Sequence, residues 1–308
     1  MPNFTPDATE VGLRLDAFLS KRLPETPRAL LRQALEAGRV TTDRGHRCAK
    51  GDKTRAGWTY CLAALPTEAT LEPNADIRLN IVYEDADLLA LNKPAAIDCQ
   101  PNGPTERETL ANGLLAYAPD VKGVGDSPLT CGILHRIDHD TSGLVLVARN
   151  QDVYAALRAQ FAAHTVEKRY LALVAGTIRT AGRLEHYLAH NPRCPGRMVD
   201  AALWKDVKRP MHAITEYRPA KHYVIEGKPY TLLEVDIQTG VTHQIRAQLS
   251  LAGMAIVGDR RYGGVLLPNF PRHFLHAHRA TFEHPVSHQR ITLEAPLPPD
   301  LTALLARK

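Results

Sequence analysis

Apolar residues recur at helical spacing twice near the start of the chain, within residues 13–19 and 30–35. From residue 77 onward the pattern changes to short apolar runs that are separated by turn formers. Such runs predict strands. The chain is therefore expected to hold a small, partly helical domain, followed by a larger region built on a sheet.

Local signals set the ends of the second helix. Thr26 is suited to cap it, Pro27 to occupy its first position, and Gly38 to end it. A strand is expected to follow at residues 40–42.

The larger region alternates between strands and helices. Two strands joined by an acidic turn are expected within residues 82–94. The other elements expected there are strands at 144–147, 170–174 and 231–237 and helices at 153–163 and 242–252. Residues 190–225 hold four prolines and many charges, and we expect an excursion from the sheet there. The predicted fold class is α+β.

Composition and charge fit a globular protein of two domains. Of the 308 residues, 44% are hydrophobic and 23% are charged, which is ordinary for a globular chain. The net charge is +5, and residues 1–65 hold eleven Lys/Arg against seven Asp/Glu, hence +4. A basic N-terminal domain is typical of proteins that bind a polyanion. A solvated basic surface without a partner explains the charge equally well.

These patterns divide the chain into four parts. Residues 1–10 are expected to be a flexible lead, and residues 11–65 the basic domain. The stretch at 66–76, which is rich in proline, threonine and glutamate, is predicted to be a linker. Residues 77–308 form the larger domain.

The cysteines and the N-terminus indicate a reducing, cytoplasmic location. The five cysteines are odd in number and form no C-x-x-C pair, which argues against a disulfide framework or a zinc site. The first residues lack the basic start and apolar core of a signal peptide. No apolar run reaches the roughly 18 residues that a membrane span needs.

The candidate chemistry lies in residues 132–147. Arg136 and Asp138 stand two apart with a histidine on each side, and the turn formers at 140–143 lead into the apolar run at 144–147. A loop that ends in a buried strand holds its polar residues rigidly, as catalytic groups require. A polar loop in which the aspartate only caps its own backbone is the commoner case.

Three motifs shift that balance. His135-Arg136-Ile137-Asp138 and Thr141-Ser142-Gly143 resemble the H-R-L-D-x-x-T-S-G signature of the RluA-type pseudouridine synthases. Residues 240–246, Gly-Val-Thr-His-Gln-Ile-Arg, resemble its second signature, G-R-T-H-Q-I-R. Residues 168–176 resemble the K-x-Y-x-A-x-V-x-G stretch between the two. Looser matches at 82–94, 256–264 and 275–285 extend the resemblance over nearly all of 77–308.

The resemblance implies a fold and an activity. The fold is a mixed, largely antiparallel sheet with a central cleft, and the activity is isomerisation of uridine in RNA to pseudouridine without a cofactor. It implies Asp138 as the catalytic carboxylate, Arg246 as its partner, and Tyr170 beside the uracil as a stacking face and candidate base. An ionised acid in a dry pocket needs such a cation.

The resemblance also indicates substrate contacts. The predicted substrate-binding residues are Arg136, His135, Thr141, Lys168, His243, Gln244 and Leu249. Arg136 is expected to enter the RNA stack where the flipped base was. Val241 stands where the family usually has arginine, which affects the expected affinity for RNA more than the chemistry.

The N-terminal pattern of helix, helix, glycine and strand resembles an S-four-like RNA-binding domain. Residues 14–16 (Arg-Leu-Asp) and 38–40 (Gly-Arg-Val) match that family, whereas Pro27 replaces its usual serine. The resemblance implies an RNA-binding role for Arg14, Arg28, Arg32 and Arg39. The expected partner of the whole chain is ribosomal or transfer RNA, and the protein is expected to be a monomer.

Two other functions remain open at this stage. The chain could be a non-catalytic RNA-binding protein on the same scaffold, although the intact Asp138, Tyr170 and Arg246 argue against this. A cysteine hydrolase using Cys131 and His135 lacks any supporting motif. Three histidines at 273, 276 and 278 have no carboxylate or cysteine at ligand spacing, so no metal is expected.

Overall fold

A computed structural model describes residues 2–26, 28–49, 51–64, 70–103, 106–194 and 196–307. The chain forms two compact units, Met1–Thr70 and Leu71–Lys308. The division falls inside the predicted linker 66–76, of which residues 66–69 lie outside the described part. Leu71 is buried in the core of the second unit.

The first unit packs two helices on a small sheet. Its elements are β1 (Asn3–Phe4), α1 (Leu15–Arg22), α2 (Arg28–Glu36), β2 (Val40–Thr42) and β3 (Tyr60–Leu62). Strand β3 lies between β1 and β2 and pairs antiparallel with both. The predicted helices and the strand at 40–42 are confirmed, while Pro27 lies outside the described residues.

The predicted flexible lead is wrong. Phe4 pairs with Tyr60 in the sheet, and Glu10 is buried, with its carbonyl accepting a hydrogen bond from the Thr54 hydroxyl. The polar, proline-containing sequence gave little periodicity, but two residues are enough to extend an open sheet edge.

The second unit is built on one ten-stranded sheet. Its strands are β4 (Ile81–Glu84), β5 (Leu88–Lys93), β6 (Ser142–Ala148), β7 (Glu167–Ala175), β8 (Gly182–His190), β9 (Met198–Asp200), β10 (Met211–Ile225), β11 (Lys228–Ile237), β12 (Leu275–Glu283) and β13 (Arg290–Glu294). Its helices are α3 (Leu110–Tyr117), α4 (Gln151–Ala162), α5 (Gln244–Leu251) and α6 (Pro299–Leu305), with a 3-10 turn at Pro119–Val121.

The strand order is β4-β5-β6-β12-β7-β11-β10-β8-β9, with β13 also paired to β12. Among the strands of the described residues, only the β6–β12 pair is parallel. The predicted mixed, largely antiparallel sheet is therefore confirmed. Strand β6 is buried along its whole length, with Val145 and Val147 in one apolar cluster and Leu144 and Leu146 in another. Both faces of the sheet centre are thus covered, as the continuous apolar run predicts.

The predicted excursion at 190–225 is largely wrong. Residues 211–225 form the longest strand of the sheet, β10, which pairs with β8 and β11. Its register against β11 shifts between Pro219 and Lys221, and a bulge is where a strand tolerates proline. Its charged side chains, Glu216, Arg218 and Lys221, lie on exposed positions and concealed the period of two.

No helix among the described residues is long and apolar enough to cross a membrane.

Gly143 sets the closeness of β6 to β12. It pairs with Ala277, has a φ of +119°, and a Cβ built on it would overlap the Ala277 backbone. Only glycine adopts that backbone conformation without strain and leaves room for the neighbouring strand. The glycine of the Thr-Ser-Gly turn is thus a packing requirement directly behind the Asp138 loop.

We expect Gly143→Ala to lower the free energy of unfolding by roughly 3 kcal/mol, since strain and backbone overlap act together. Urea unfolding monitored by circular dichroism measures this. Gly176→Ala is the matched control, because Gly176 also has a positive φ (+91°) but nothing within 4 Å of its Cβ position. A Gly143→Ala loss no larger than the Gly176→Ala loss would contradict the packing argument.

Candidate active site

A cleft of about 720 Å³ opens at the middle of the sheet. The loop before β6 brings Asp138 to it, β7 brings Tyr170, and α5 brings Arg246. The predicted site residues that line it are Asp138, Tyr170, Arg246, Arg136, His135, Thr141, Lys168, His243 and Gln244. Segments far apart in the sequence therefore meet in one site.

Arg246 joins Asp138 to a second carboxylate. Its Nη1 donates to Asp138 Oδ2 at 2.8 Å, and its Nε and Nη2 donate to the two oxygens of Asp259 at 2.7 and 3.0 Å. The Arg246 side chain is 9% exposed, that of Asp259 1%, and that of Asp138 24%. The carboxylate open to the cleft is therefore held by a cation that a deeper carboxylate fixes in place.

Arg246 and Asp259 each stabilise the charged form of the other. Burial alone would raise the pKa of Asp259, but hydrogen bonds and the charge of Arg246 hold it below its ordinary value. Burial would lower the pKa of Arg246, and the two carboxylates raise it instead. Asp259 and Arg246 are therefore both ionised at neutral pH.

Tyr170 presents an aromatic side chain to the cleft. It lies on β7 between β11 and β12 and is 8% exposed. Burial, and then the charge of Asp138, raise the pKa of its phenol, which is neutral at neutral pH. Its hydroxyl has no hydrogen-bond partner among the residues that the structure describes.

His243 stands beside Asp138 in a strained backbone conformation. It precedes α5 with a φ of +52°, which is unusual for a residue with a side chain. Its Nε2 lies 3.9 Å from Asp138 Oδ2, and its Nδ1 lies 3.0 Å from the buried Tyr262 hydroxyl. Burial lowers the pKa of His243, so the ring is largely neutral at neutral pH.

Three predicted substrate contacts use side-chain polar atoms in hydrogen bonds within the protein. The Gln244 amide oxygen accepts from Thr239 and Val241, and its nitrogen donates to Ile214 and Thr215. The other two, Thr141 and His135, anchor the Asp138 loop. The buried Thr141 hydroxyl bonds with His273 at 2.7 Å. His135 Nε2 accepts from the Leu146 amide, and burial lowers the His135 pKa to about 3.

Two predicted contacts present cations to the cleft. Arg136 is exposed, and Lys168 is half-buried, with its ammonium 5.7 Å from the centre of the Phe161 ring. Burial lowers the pKa of Lys168. Arg158 and Phe161 of α4, which the sequence did not single out, line the same side.

Leu249 was predicted wrongly. It is fully buried in the main core and does not line the cleft. Ile245, one helical turn earlier on α5, lines the cleft instead. The signature indicated the helix, but not how deep each turn of it lies.

Sequence reasoning missed two charged residues that hold the site. Asp259 stands in a segment whose resemblance was recognised, but nothing in the sequence linked it to Arg246. The fully buried Lys93 donates to the carbonyls of Pro94, Ile97 and His139 at 2.7–3.0 Å. It thus ties the Asp138 loop to the end of β5, and burial lowers its pKa to about 8.

The three C-terminal histidines hold backbone and loop together. His276 bonds with the Ser142 hydroxyl at 2.9 Å and the Ala295 carbonyl at 3.1 Å, and His278 also bonds with Ala295. A separate group that could hold a metal is Asp85, Asp87 and His284. His284 already uses both ring nitrogens, one toward Asp85 and one toward the backbone at 286–287.

In the first unit, three of the four predicted RNA-binding arginines meet at one carboxylate. Arg14, Arg28 and Arg32 each place a guanidinium nitrogen 3.0 Å from an oxygen of the buried Asp16. Burial alone would raise the pKa of Asp16. Hydrogen bonds from Arg14 and Arg32 and the charge of Arg28 outweigh that effect and lower the pKa to about 2. These arginines hold α1 and α2 together. Arg39 is exposed after α2, and an RNA-binding role for all four stays a prediction.

Comparisons with known proteins place this geometry in context. The model of the RNA pseudouridylate synthase family matches residues 87–251. Ribosomal large subunit pseudouridine synthase D of Xanthomonas campestris is 33% identical, over 98% of this chain and 90% of the relative. The enzyme of the same name from Zymomonas mobilis is 34% identical, over 99% and 97%. The solved structure of human RNA pseudouridylate synthase domain containing 1 covers 76% of this chain and 90% of its own, with a TM-score of 0.60 and 27% identity.

We expect Asp259→Asn to destabilise the protein by roughly 3 kcal/mol at pH 7, since it leaves the buried Arg246 partly unpaired. The Asp259 pKa is depressed in the folded state, so its contribution is present above its ordinary value of 3.8 and is lost as the pH falls below it. The gap in melting temperature between wild type and variant should therefore narrow between pH 7 and pH 3.

Asp300→Asn is the matched control. Asp300 makes the same two-bonded contact with Arg272 but is 49% exposed. Its loss should cost no more than about 1 kcal/mol. Equal effects of the two substitutions would show that the buried pair has no special weight.

Proposed function

Because the chain belongs to the RNA pseudouridylate synthase family, we propose that it isomerises uridine in ribosomal RNA, with Asp138 as the catalytic carboxylate. The reaction breaks the bond between ribose carbon 1 and uracil nitrogen 1 and forms a bond to uracil carbon 5. One proton leaves carbon 5 and one is gained at nitrogen 1. The large-subunit names of the similar enzymes support ribosomal over transfer RNA, and a cytoplasmic location follows from that substrate.

The observation that carries the assignment is the 2.8 Å contact between Arg246 and Asp138. The two residues are 108 positions apart, yet they come from the two segments singled out by the sequence. A carboxylate that lines the cleft can act on the ribose or the base. A guanidinium that is bonded to both Asp259 and Asp138 holds the Asp138 carboxylate in one orientation.

In this proposal, the flipped uridine enters the cleft beside Tyr170. Flipping a base costs a few kcal/mol, which stacking in the pocket offsets. We assign the flat face to Tyr170, and we assign the proton exchange with the ring to its hydroxyl, which has no hydrogen-bond partner among the described residues. Arg136, exposed at the cleft, has the planar cation that can fill the gap left in the RNA stack.

The experiment that tests the function compares RNA from cells with and without the gene. Digested ribosomal RNA, separated by liquid chromatography, should lose pseudouridine at one or a few positions when the gene is deleted. Wild type supplied on a plasmid should restore it. Unchanged ribosomal RNA together with a loss in transfer RNA would reassign the substrate, and no change in either RNA would favour a non-catalytic role.

We expect Asp138→Asn to reduce turnover by at least about a thousandfold, the scale for removal of an essential catalytic group, with RNA binding retained. Release of tritium from RNA labelled at uracil carbon 5 measures turnover. Asp140→Asn, two residues on in the same loop, is the control and should stay active. A mutant at position 138 with a tenth of normal turnover would end the assignment.

We expect Arg246→Met to reduce turnover at neutral pH and to move the acidic limb of the rate profile to higher pH. The ionised carboxylate loses its compensating cation, so it forms less readily in a water-poor cleft. Combined with Asp138→Asn, the change should cause no further loss of activity, since both disable one unit.

The control for this experiment is Arg169→Met. It removes a two-bonded ion pair with Asp236 that lies outside the cleft. Its profile should match the wild type. An unshifted profile for Arg246→Met would mean that the pair has no part in catalysis.

A further inference from the structure

The basic charge of the first unit is distributed unequally between its helical side and its turns. On the helical side, Arg14, Arg28 and Arg32 pair with Asp16, and Arg22 pairs with Glu10. Cations that are neutralised in this way gain less by contacting phosphates, because each contact competes with a carboxylate already present.

The turns carry a different arrangement, which surrounds Trp58. The Arg55 guanidinium carbon lies 4.7 Å and that of Arg44 5.1 Å from the centre of the indole. The His46 ring stacks on the indole at 5.5 Å with an interplanar angle of 9°. Among the described residues, neither Arg44 nor Arg55 pairs with a carboxylate.

Two turns hold this group in place. The first follows β2, where the Thr42 amide donates to the His46 carbonyl and Gly45 takes a φ of +77°. The second precedes β3, where the Arg55 amide donates to the Tyr60 hydroxyl at 3.0 Å. Asp43 joins the two turns, since its amide donates to Thr59 and its carboxylate accepts from Thr59.

We propose that Trp58, Arg44, His46 and Arg55 form a stacking platform that binds an unpaired stretch of RNA. This proposal rests on the proposed function, and the platform is the surface by which the first unit holds the substrate RNA outside the cleft. The half-buried indole packs on the core of the unit, and planar guanidinium and imidazole groups extend it into solvent. Bases stack on such planes, and cations without a carboxylate partner neutralise the adjoining phosphates.

A duplex fits this surface less well than a single strand, because its bases are already stacked on one another. The platform therefore favours unpaired RNA of any sequence over paired RNA. An affinity that comes only from charge would not make this distinction.

The chain offers a direct optical test because it holds only two tryptophans, Trp58 and Trp204. In the full-length Trp204→Phe variant, Trp58 is the sole indole fluorophore. Addition of a single-stranded oligoribonucleotide should quench it, whereas a duplex of the same length should quench it much less, and heparin not at all. Equal quenching by duplex, or none by the single strand, would overturn the platform.

Substitutions separate stacking from charge. Trp58→Leu keeps an apolar side chain on the core and should weaken single-strand binding by roughly fivefold or more, while Trp58→Phe should weaken it less. Arg44→Gln with Arg55→Gln should reduce the slope of log affinity against log salt by about 1.4, or about 0.7 per phosphate contact. Lys21→Gln, an exposed cation on α1, should leave the slope unchanged. Melting temperatures confirm that each variant is folded.

Turnover at saturating RNA distinguishes failure of this proposal from failure of the proposed function. The platform variants should raise KM severalfold and leave kcat unchanged. If they bind RNA as the wild type does while Asp138→Asn is inactive, the platform is wrong and the catalytic assignment stands. If Asp138→Asn is fully active, the function is wrong, whatever the fluorescence shows.

Discussion

The site depends on one guanidinium that is shared by two carboxylates. Asp259 takes the Nε and Nη2 donors of Arg246, which leaves Nη1 for Asp138. Since Asp259 is almost fully buried, the cation cannot swing away without leaving a charge unpaired in the interior. The direction in which Asp138 is held therefore follows from a residue that does not line the cleft. Helix α5 begins directly after the strained residue His243, so that Arg246 lies in its first turn.

The same constraint explains how the Asp138 loop is built. Lys93 holds the His139 carbonyl, Thr141 bonds with His273, and Gly143 allows β6 to lie close against β12. Each of these contacts joins the loop to a different strand or segment. A flexible carboxylate would lose the geometry that its paired cation defines, and these contacts limit its freedom to move.

Elements with a strong period or a matched motif were predictable from the sequence. The apolar run at 144–147 gave β6, and the two signatures were enough to expect Asp138 against Arg246. Asp259 was not predictable as the second carboxylate, because its contact depends on the path of a loop without periodicity. Strand β10 was not predicted because proline and charged residues masked its alternation of apolar and polar positions. The order of the first ten residues was not predicted because pairing at a sheet edge leaves almost no sequence signal. The prediction for Leu249 was wrong because a motif indicates a helix but not how deeply each of its turns is buried.

Arg246 places one positive charge between two carboxylates, of which Asp138 lines the cleft and Asp259 does not. Arg136 and the partly buried Lys168 also line the cleft, and among the described residues neither pairs with a carboxylate, whereas Arg158 lies 3.9 Å from Asp126. A nucleotide is itself divided in this way, with an anionic phosphate and an uncharged base. An uncharged base that approaches the Asp138 carboxylate therefore avoids the repulsion that a phosphate would meet there.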